Sequence, residues 1–233
     1  MKLISLILPY WNRQEATDIS LWAMADAYPD LGLEVIVVDD GSLIPYDVPK
    51  KLPLTVRVVR LPPKTQALNP CVPINAGVSL ACGDIIALSS PEIVHTIPVL
   101  GELRKELEKQ GENGYVLAAC WCPDENRWHC HSSMQRRDDN DVGRYLPQGT
   151  QYHFMAMMNR SLWDKTGGFD EDYRQGAGYD DPDWVMRLCR AGAKFVMRDD
   201  LVVQHPHASP RSKWPPGSFA RNRALWFEKW SPV

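Results

Sequence analysis

The sequence has 233 residues and a formal net charge of −3, enough chain for one substantial core and too little for two ordinary enzyme domains. Its 44% hydrophobic and 24% charged content suits a globular chain, and so small a net charge gives no global attraction to nucleic acid or anionic membrane. Nor is there an apolar run near the ~18 to 20 residues that span a bilayer. The apolar start, Met1 to Pro9, meets Tyr10-Trp11-Asn12-Arg13 too soon for a secretory signal. Six scattered cysteines, at 71, 82, 120, 122, 130 and 189, are too sparse to staple the chain and read as reduced thiols of a cytoplasmic protein.

Strand and helix signals alternate from the start. Leu3–Leu8 is a short apolar strand ended by Pro9. Glu15–Ala27 has helical spacing, with Ile19, Trp22, Met24 and Ala27 on the side offered for burial. Leu33–Val38 is a β-branched run that stops at the turn cluster Asp39-Asp40-Gly41-Ser42. Thr55–Leu61 reads as a third strand, Asn75–Ala81 as a helix, and Ile85–Leu88 as a fourth strand broken by Ser89-Ser90-Pro91. Pro98–Lys109 is a helix with proline at its first position, and Tyr115–Cys120 is a fifth strand. The polar stretch Pro123–Pro147 reads as a mobile loop. Phe154–Met158 is a further strand, Asp183–Ala191 a helix closed by Gly192, and Phe195–Met197 and Leu201–Val203 two short strands.

Apolar strands alternating with helices imply an α/β fold with a mostly parallel sheet covered on both faces. Ligands of such sheets sit beyond the carboxyl ends of the strands. The turns Pro9–Arg13, Asp39–Ser42 and Ser89–Glu92 all fall at that edge, around one crevice. Strand one ends without the glycines of a dinucleotide fingerprint, and there is no P-loop. A bound diphosphate would therefore need a metal or cationic side chains.

Single motifs have plain structural readings. Asp39-Asp40-Gly41-Ser42 could be an ordinary Asp-stabilised turn, or a carboxylate accepting from a base N–H and a ribose hydroxyl. Asn75-Ala76-Gly77 could be simple helix packing. Asp180, Asp181 and Asp183 could serve the dipole of the helix they open. The other reading makes one of them a general base that deprotonates an acceptor hydroxyl.

Taken in order, Leu8-Pro9-Tyr10-Trp11-Asn12-Arg13, Val37-Val38-Asp39-Asp40-Gly41-Ser42, Asn75-Ala76-Gly77 with Ala81-Cys82-Gly83-Asp84-Ile85-Ile86, Gly167-Gly168-Phe169-Asp170-Glu171 and Asp180-Asp181-Pro182-Asp183 resemble the family 2 glycosyltransferases. The resemblance covers roughly residues 2 to 205. It implies a single GT-A domain over 1–205, with 206–233 as a basic, aromatic tail. It also implies a nucleoside-diphosphate sugar donor, a UDP-sugar first, a glycan or other hydroxyl acceptor, a divalent metal and inversion at the anomeric carbon. By position Pro9, Tyr10, Asn12, Arg13, Asp39, Asp40 and Asn75 would serve the nucleotide. Asp181 would be the catalytic aspartate, and Asp180 stands where the family usually has Glu.

The chain departs from the family after strand four. The usual Asp-x-Asp is replaced by Leu88-Ser89-Ser90-Pro91-Glu92-Ile93-Val94-His95, leaving Glu92 as the one acid. His205, at the end of the last strand, would complete a metal site, and an imidazole ligand favours Mn²⁺ over Mg²⁺. Two rival readings follow: a sugar nucleotidyltransferase, or a non-catalytic nucleotide-sugar binding module with a degenerate metal motif.

Cys120-Trp121-Cys122 and His129-Cys130-His131 supply possible zinc ligands, but C-x-C is not the usual spacing and Cys120 reads as a strand end pointing into the core. In the tail, Arg211, Lys213, Arg221, Arg223 and Lys229 face one acid, Glu228, and Trp214, Trp226, Phe227 and Trp230 are interleaved. That mix suits a helix packed on the domain, a lid carrying a cation to the leaving diphosphate, or peripheral contact with a membrane.

Overall fold

The computed structural model describes residues 2–66, 69–133, 153–206 and 215–230. In chain order the elements are β1 (Ile4–Tyr10), α1 (Gln14–Ala27), β2 (Leu33–Asp39), β3 (Val56–Arg60), α2 (Cys71–Leu80), β4 (Ile85–Ser89), α3 (Val99–Gln110), β5 (Gly114–Cys122), β6 (Arg127–Cys130), β7 (Met155–Asn159), α4 (Arg160–Thr166), α5 (Asp180–Arg190), β8 (Lys194–Gln204) and α6 (Ser218–Trp230). The strands form one sheet in the order β3-β2-β1-β4-β7-β5-β6, with β8 paired to β5. Among the described residues no helix is long and apolar enough to cross a membrane.

Strand direction decides where the site falls. β3, β2, β1 and β4 are parallel neighbours, with Tyr10 opposite Asp39 at one end of the β1–β2 ladder. β7 then enters antiparallel to β4, pairing Met155 with Ser89. Its amino end therefore lies at the edge where β1, β2 and β4 finish. β5 returns antiparallel to β7, and β8 runs parallel to β5. The carboxyl ends of β1, β2, β4, β5 and β8 and the amino end of β7 thus share one edge. A bridge between Val94 and Gln204 ties the segment after β4 to the end of β8.

The core is built from the inner strands. Ile4, Leu6, Ile7 and Leu8 of β1, Val35 to Val38 of β2 and Ile85 to Leu88 of β4 are all essentially inaccessible. Such two-sided burial explains their unbroken apolar runs. Helix α1 differs from the face read from its sequence. Thr17, Ser20, Leu21, Met24 and Ala25 are buried, while Ile19 and Trp22 are 47% and 40% exposed. Small polar residues let the helix approach the sheet, and the Ser20 hydroxyl donates to the Ile93 carbonyl.

Other boundaries move for identifiable reasons. α2 begins at Cys71 rather than Asn75 because Pro73 sits in its first turn, where its missing N–H costs nothing. Pro98 caps α3 from outside, one position earlier than expected. The two short strands near the end are one, β8, whose register shifts at Ala118/Ala119 of its partner. The segment after Pro123 is not all loop, since β6 folds back on β5 as a hairpin; the rest of that polar stretch, 134–147, lies outside the described residues.

The tail helix packs on the domain. Asn222 and Trp226 of α6 are fully buried. The Asn222 amide donates to the Tyr173 and Gly178 carbonyls, and the Trp230 indole donates to Asp183 at 2.7 Å. Lys229 pairs with Asp170 and Asp172, and Arg221 bonds the Asp172 carbonyl. These cations are thus engaged with acids and carbonyls of the preceding turn, Glu171–Gln175, rather than held out for a diphosphate. Trp214, Arg211 and Lys213 lie outside the described residues.

A buried histidine ties α1 to α3. The Tyr28 hydroxyl accepts from the Leu100 N–H and donates to His95 Nδ1 at 2.6 Å. Burial pushes the His95 pKa down to about 3, so the ring stays neutral when the chain is folded. An unfolded chain protonates it near the ordinary 6.5. Stability from this group is therefore present above about pH 6.5 and lost as pH falls toward 3, with a slope of up to about 1.4 kcal/mol per pH unit. Denaturant titrations from pH 7 to pH 5 should show a shallower loss in His95→Gln than in the unaltered chain. Equal slopes would remove His95 as a cause.

Candidate active site at the strand ends

The first wall of the site is the β1 and β2 turns, laced together. The Asp40 N–H donates to the Tyr10 carbonyl at 2.8 Å, Asn12 N–H donates to Ser42 Oγ, and Asn12 Oδ1 accepts from Leu43 N–H. Gly41 is required here: its φ is +75°, and a Cβ would lie 2.2 Å from the Pro62 carbonyl oxygen. Asp39 and Asp40 then separate in role. Asp39 is wholly buried. Its oxygens accept from Ser42 N–H, Tyr46 N–H and Arg60 Nη1 at 2.8, 3.2 and 3.1 Å. Asp39 is thus bonded by its own loop and by Arg60 of β3. Asp40 instead pairs with Lys64. Burial raises its carboxyl above the ordinary value, and Lys64 offsets this in part.

The second wall is the segment after β4. Glu92 is 5% exposed. Its Oε1 pairs with Arg13 Nη1 and lies 3.2 Å from His205 Nε2. Burial alone would raise this carboxyl; His205 and Arg13 together outweigh burial and hold it below the usual value. The sequence-selected Arg13, Glu92 and His205 are thus assembled from the ends of β1, β4 and β8. Glu92 Oε2 and His205 Nδ1 are buried with no hydrogen-bond partner among the described residues. The imidazole nitrogen that faces Glu92 is Nε2, so a divalent cation shared by the two residues would lie between Nε2 and the Glu92 carboxylate, 3.2 Å apart, with its remaining positions from phosphate oxygens and water.

The third wall carries the acids that open α5. Tyr179, in a left-handed conformation (φ +68°), caps the helix. Asp180 is 5% exposed. Burial, then the charge of Asp181, pushes its carboxyl well above the ordinary value. Asp181 is the more open of the two, with its side chain 33% accessible. It lies 3.0 Å from His153 Nδ1. Burial acts to lower the His153 pKa, but the charges of Asp181 and Asp180 outweigh it, so the ring sits above its ordinary value.

His153 was not singled out by the sequence. It precedes β7, and only the antiparallel entry of that strand brings it to the shared edge. The next residue, Phe154, packs edge-on to His205 with ring centroids 5.6 Å apart. An unbroken series of contacts therefore runs from Asp181 through His153-Phe154 to His205, Glu92 and Arg13.

Asn75 has other work. Its side-chain N–H groups donate to the Phe169 carbonyl and Glu171 Oε1 at 2.9 and 3.0 Å, and its Oδ1 accepts from the Phe169 N–H at 2.9 Å. Gly168 passes so close that a Cβ would lie 2.8 Å from this oxygen. Asn75 clamps the Gly167–Glu171 turn that leads to α5. A cavity of about 430 Å³ lies between α4, α5 and α6, lined by residues such as Lys165, Arg187 and Trp230 and none of the candidate residues.

The comparisons agree with this architecture. The model of Glycosyl transferase family 2 matches residues 5–167, and the chain belongs to that family. Asp180, Asp181 and His205 lie beyond the matched residues. No curated protein matches the chain by sequence. Among solved structures, S. aureus TarS is similar with TM-score 0.69 at 16% identity, over 97% of this chain and 39% of that one. A shorter piece of TarS, residues 1–349, gives 0.68 at 16%, with 97% and 65% covered. A mannosyltransferase from Pyrobaculum calidifontis, solved in complex with GDP-Man and Mn²⁺, gives 0.63 at 19%, with 97% and 62% covered. The chain thus spans less than two thirds of each of these proteins, and the likeness is one of fold.

If Asn75 is a clamp, Asn75→Ala leaves the Phe169 N–H and carbonyl without their partner. A loss of about 2 kcal/mol or more in unfolding free energy is expected from denaturant titration. Unchanged stability combined with weaker nucleotide binding would return Asn75 to the ligand.

Proposed function

We propose that this chain transfers a sugar from a nucleoside-diphosphate donor to an acceptor hydroxyl by one in-line displacement with inversion, with Asp181 as general base. The observation that carries the reading is the position of Asp181. It is the accessible member of an acidic pair, and contacts join it without a gap to Glu92 and Arg13 at the strand ends. A base must face the reacting carbon from the side opposite the leaving group; Asp181 on one wall, with Glu92 and Arg13 on another, supports that division of roles.

In this reading Pro9, Tyr10, Asn12 and Asp40 line the nucleotide end, with Arg13 close to the diphosphate. Glu92 and His205 would hold a divalent cation, which when bound neutralises the charge of the departing diphosphate. The imidazole ligand favours Mn²⁺. His153, 3.0 Å from Asp181, orients its carboxylate. Asp180, enclosed and raised in pKa, supports the start of α5 and does not take the acceptor proton. The donor is a nucleoside diphosphate sugar, with UDP- and GDP-sugars as the first to try.

Asp181→Asn should retain nucleoside diphosphate affinity by calorimetry and lose turnover by at least about 10² to 10⁴, the usual worth of a general base. Release of nucleoside diphosphate from a screened donor is the assay. Near-normal transfer by the variant would remove Asp181 as base, while absence of release by the unaltered chain with every donor would favour a binding module.

Glu92→Gln tests the cation separately. A bound ligand raises Tm by mass action, and the variant should lose the extra stabilisation that Mn²⁺ gives to nucleoside diphosphate. The same Mn²⁺ response in both proteins would rule out Glu92 as a ligand.

A further inference from the structure

The β5–β6 hairpin gathers three potential metal ligands, none of which is among the residues placed at the cleft. Cys122 ends β5, Glu125 lies in the turn, and His129 is on β6. Their donor atoms all lie within 4.8 Å of one another. Strand pairing explains the meeting. Cys122 faces Arg127 and Trp121 faces Trp128, but Cys120 faces Cys130. His129 is therefore an extra residue on β6, a bulge of the kind that re-aims a side chain. The turn between the strands carries Glu125 back over the same spot.

We propose that this hairpin is a Zn²⁺ site, with Cys122 Sγ, a Glu125 carboxylate oxygen and an imidazole nitrogen of His129 as ligands and water in the fourth position. His129 Nε2 and Glu125 Oε2 are 3.2 Å apart. Two ligands at zinc bond lengths of about 2.0 to 2.1 Å, set at the tetrahedral angle, stand about 3.3 Å apart. A thiolate with an imidazole and a carboxylate is a donor set suited to zinc and unsuited to Mg²⁺ or Ca²⁺. Arg127 Nε pairs with the same Glu125 carboxylate, holding it toward the pair. Binding releases the Cys122 thiol proton to solvent as the S–Zn bond forms.

The site would also fix a neighbour of the catalytic cleft. The His129 ring packs 5.1 Å from His205 and 5.2 Å from Phe154. A metal on His129 sets the orientation of the ring against which His205 rests.

Cobalt is the probe, since a thiolate on Co²⁺ gives a charge-transfer absorption that carboxylate and imidazole alone do not. Metal-stripped full-length protein titrated with Co²⁺ should develop this band at one ion per chain, and Zn²⁺ should displace it. Cys122→Ser should abolish the band. Glu125→Gln alters a side chain at the surface, so folding is retained. It should weaken Co²⁺ binding by at least about tenfold, the lower bound for loss of even an outer-shell partner. Cys120→Ser and Glu92→Gln should leave the band unchanged, which separates this site from the one proposed for donor binding. The proposal is overturned by no band in the unaltered chain, by a band that survives Cys122→Ser, or by full affinity in Glu125→Gln.

Discussion

A carboxylate enclosed by protein needs opposite charge close by, and Glu92 meets that need from two distant parts of the chain. Removing a charge from water costs several kcal/mol unless partners compensate. Arg13 arrives from the end of β1 and His205 from the end of β8. The pairing holds only if β4 lies beside β1 and β8 comes around to the same edge. Sheet order and buried charge are thus mutually dependent. The Val94–Gln204 bridge, two residues from Glu92 and one from His205, fixes the backbone on which both stand.

The acids that open α5 are positioned by a second set of contacts. Asn75 on α2 holds the turn after α4, Asn222 on α6 holds the turn after that, and Trp230 reaches Asp183 inside α5. The apolar stack of Phe169 on Trp184, 4.5 Å apart and nearly coplanar, fills the space between. The accessible carboxylate of Asp181 therefore stands on a helix start braced from α2 and α6.

Much of this was legible because strand ends in a parallel sheet are chemically marked. Apolar runs that stop at Asp39-Asp40-Gly41-Ser42 or at Ser89-Ser90-Pro91 announce both the strand and the edge where ligands sit. Arg13, Glu92 and His205 were readable in that way. His153 was not, because nothing local distinguishes it; its importance comes from β7 running against its neighbours. Glu125 was overlooked in weighing Cys122 and His129, since a turn acid looks like solvated surface until the hairpin closes. For Asn75 and Asp39 the sequence shows a polar side chain without showing the protein groups it also bonds. The face of α1 was misjudged for a related reason. Hydrophobicity favours Ile19 and Trp22, whereas close approach to the sheet favours Thr17 and Ser20.

The clamps on α5 also impose an order on assembly. The carbonyl of Gly178, already within 3.5 Å of the Asn69 amide, takes its shorter hydrogen bond from Asn222 of α6, and the carboxylate of Asp183, already paired with Arg187, takes another from Trp230. During synthesis, which delivers the amino-terminal strands first, the turns after β1 and β2 can form before the start of α5 is fully tied down. A nascent chain halted before α6 would have those turns in place without the Asn222 and Trp230 contacts, so the bracing of α5 is finished by a segment made after it.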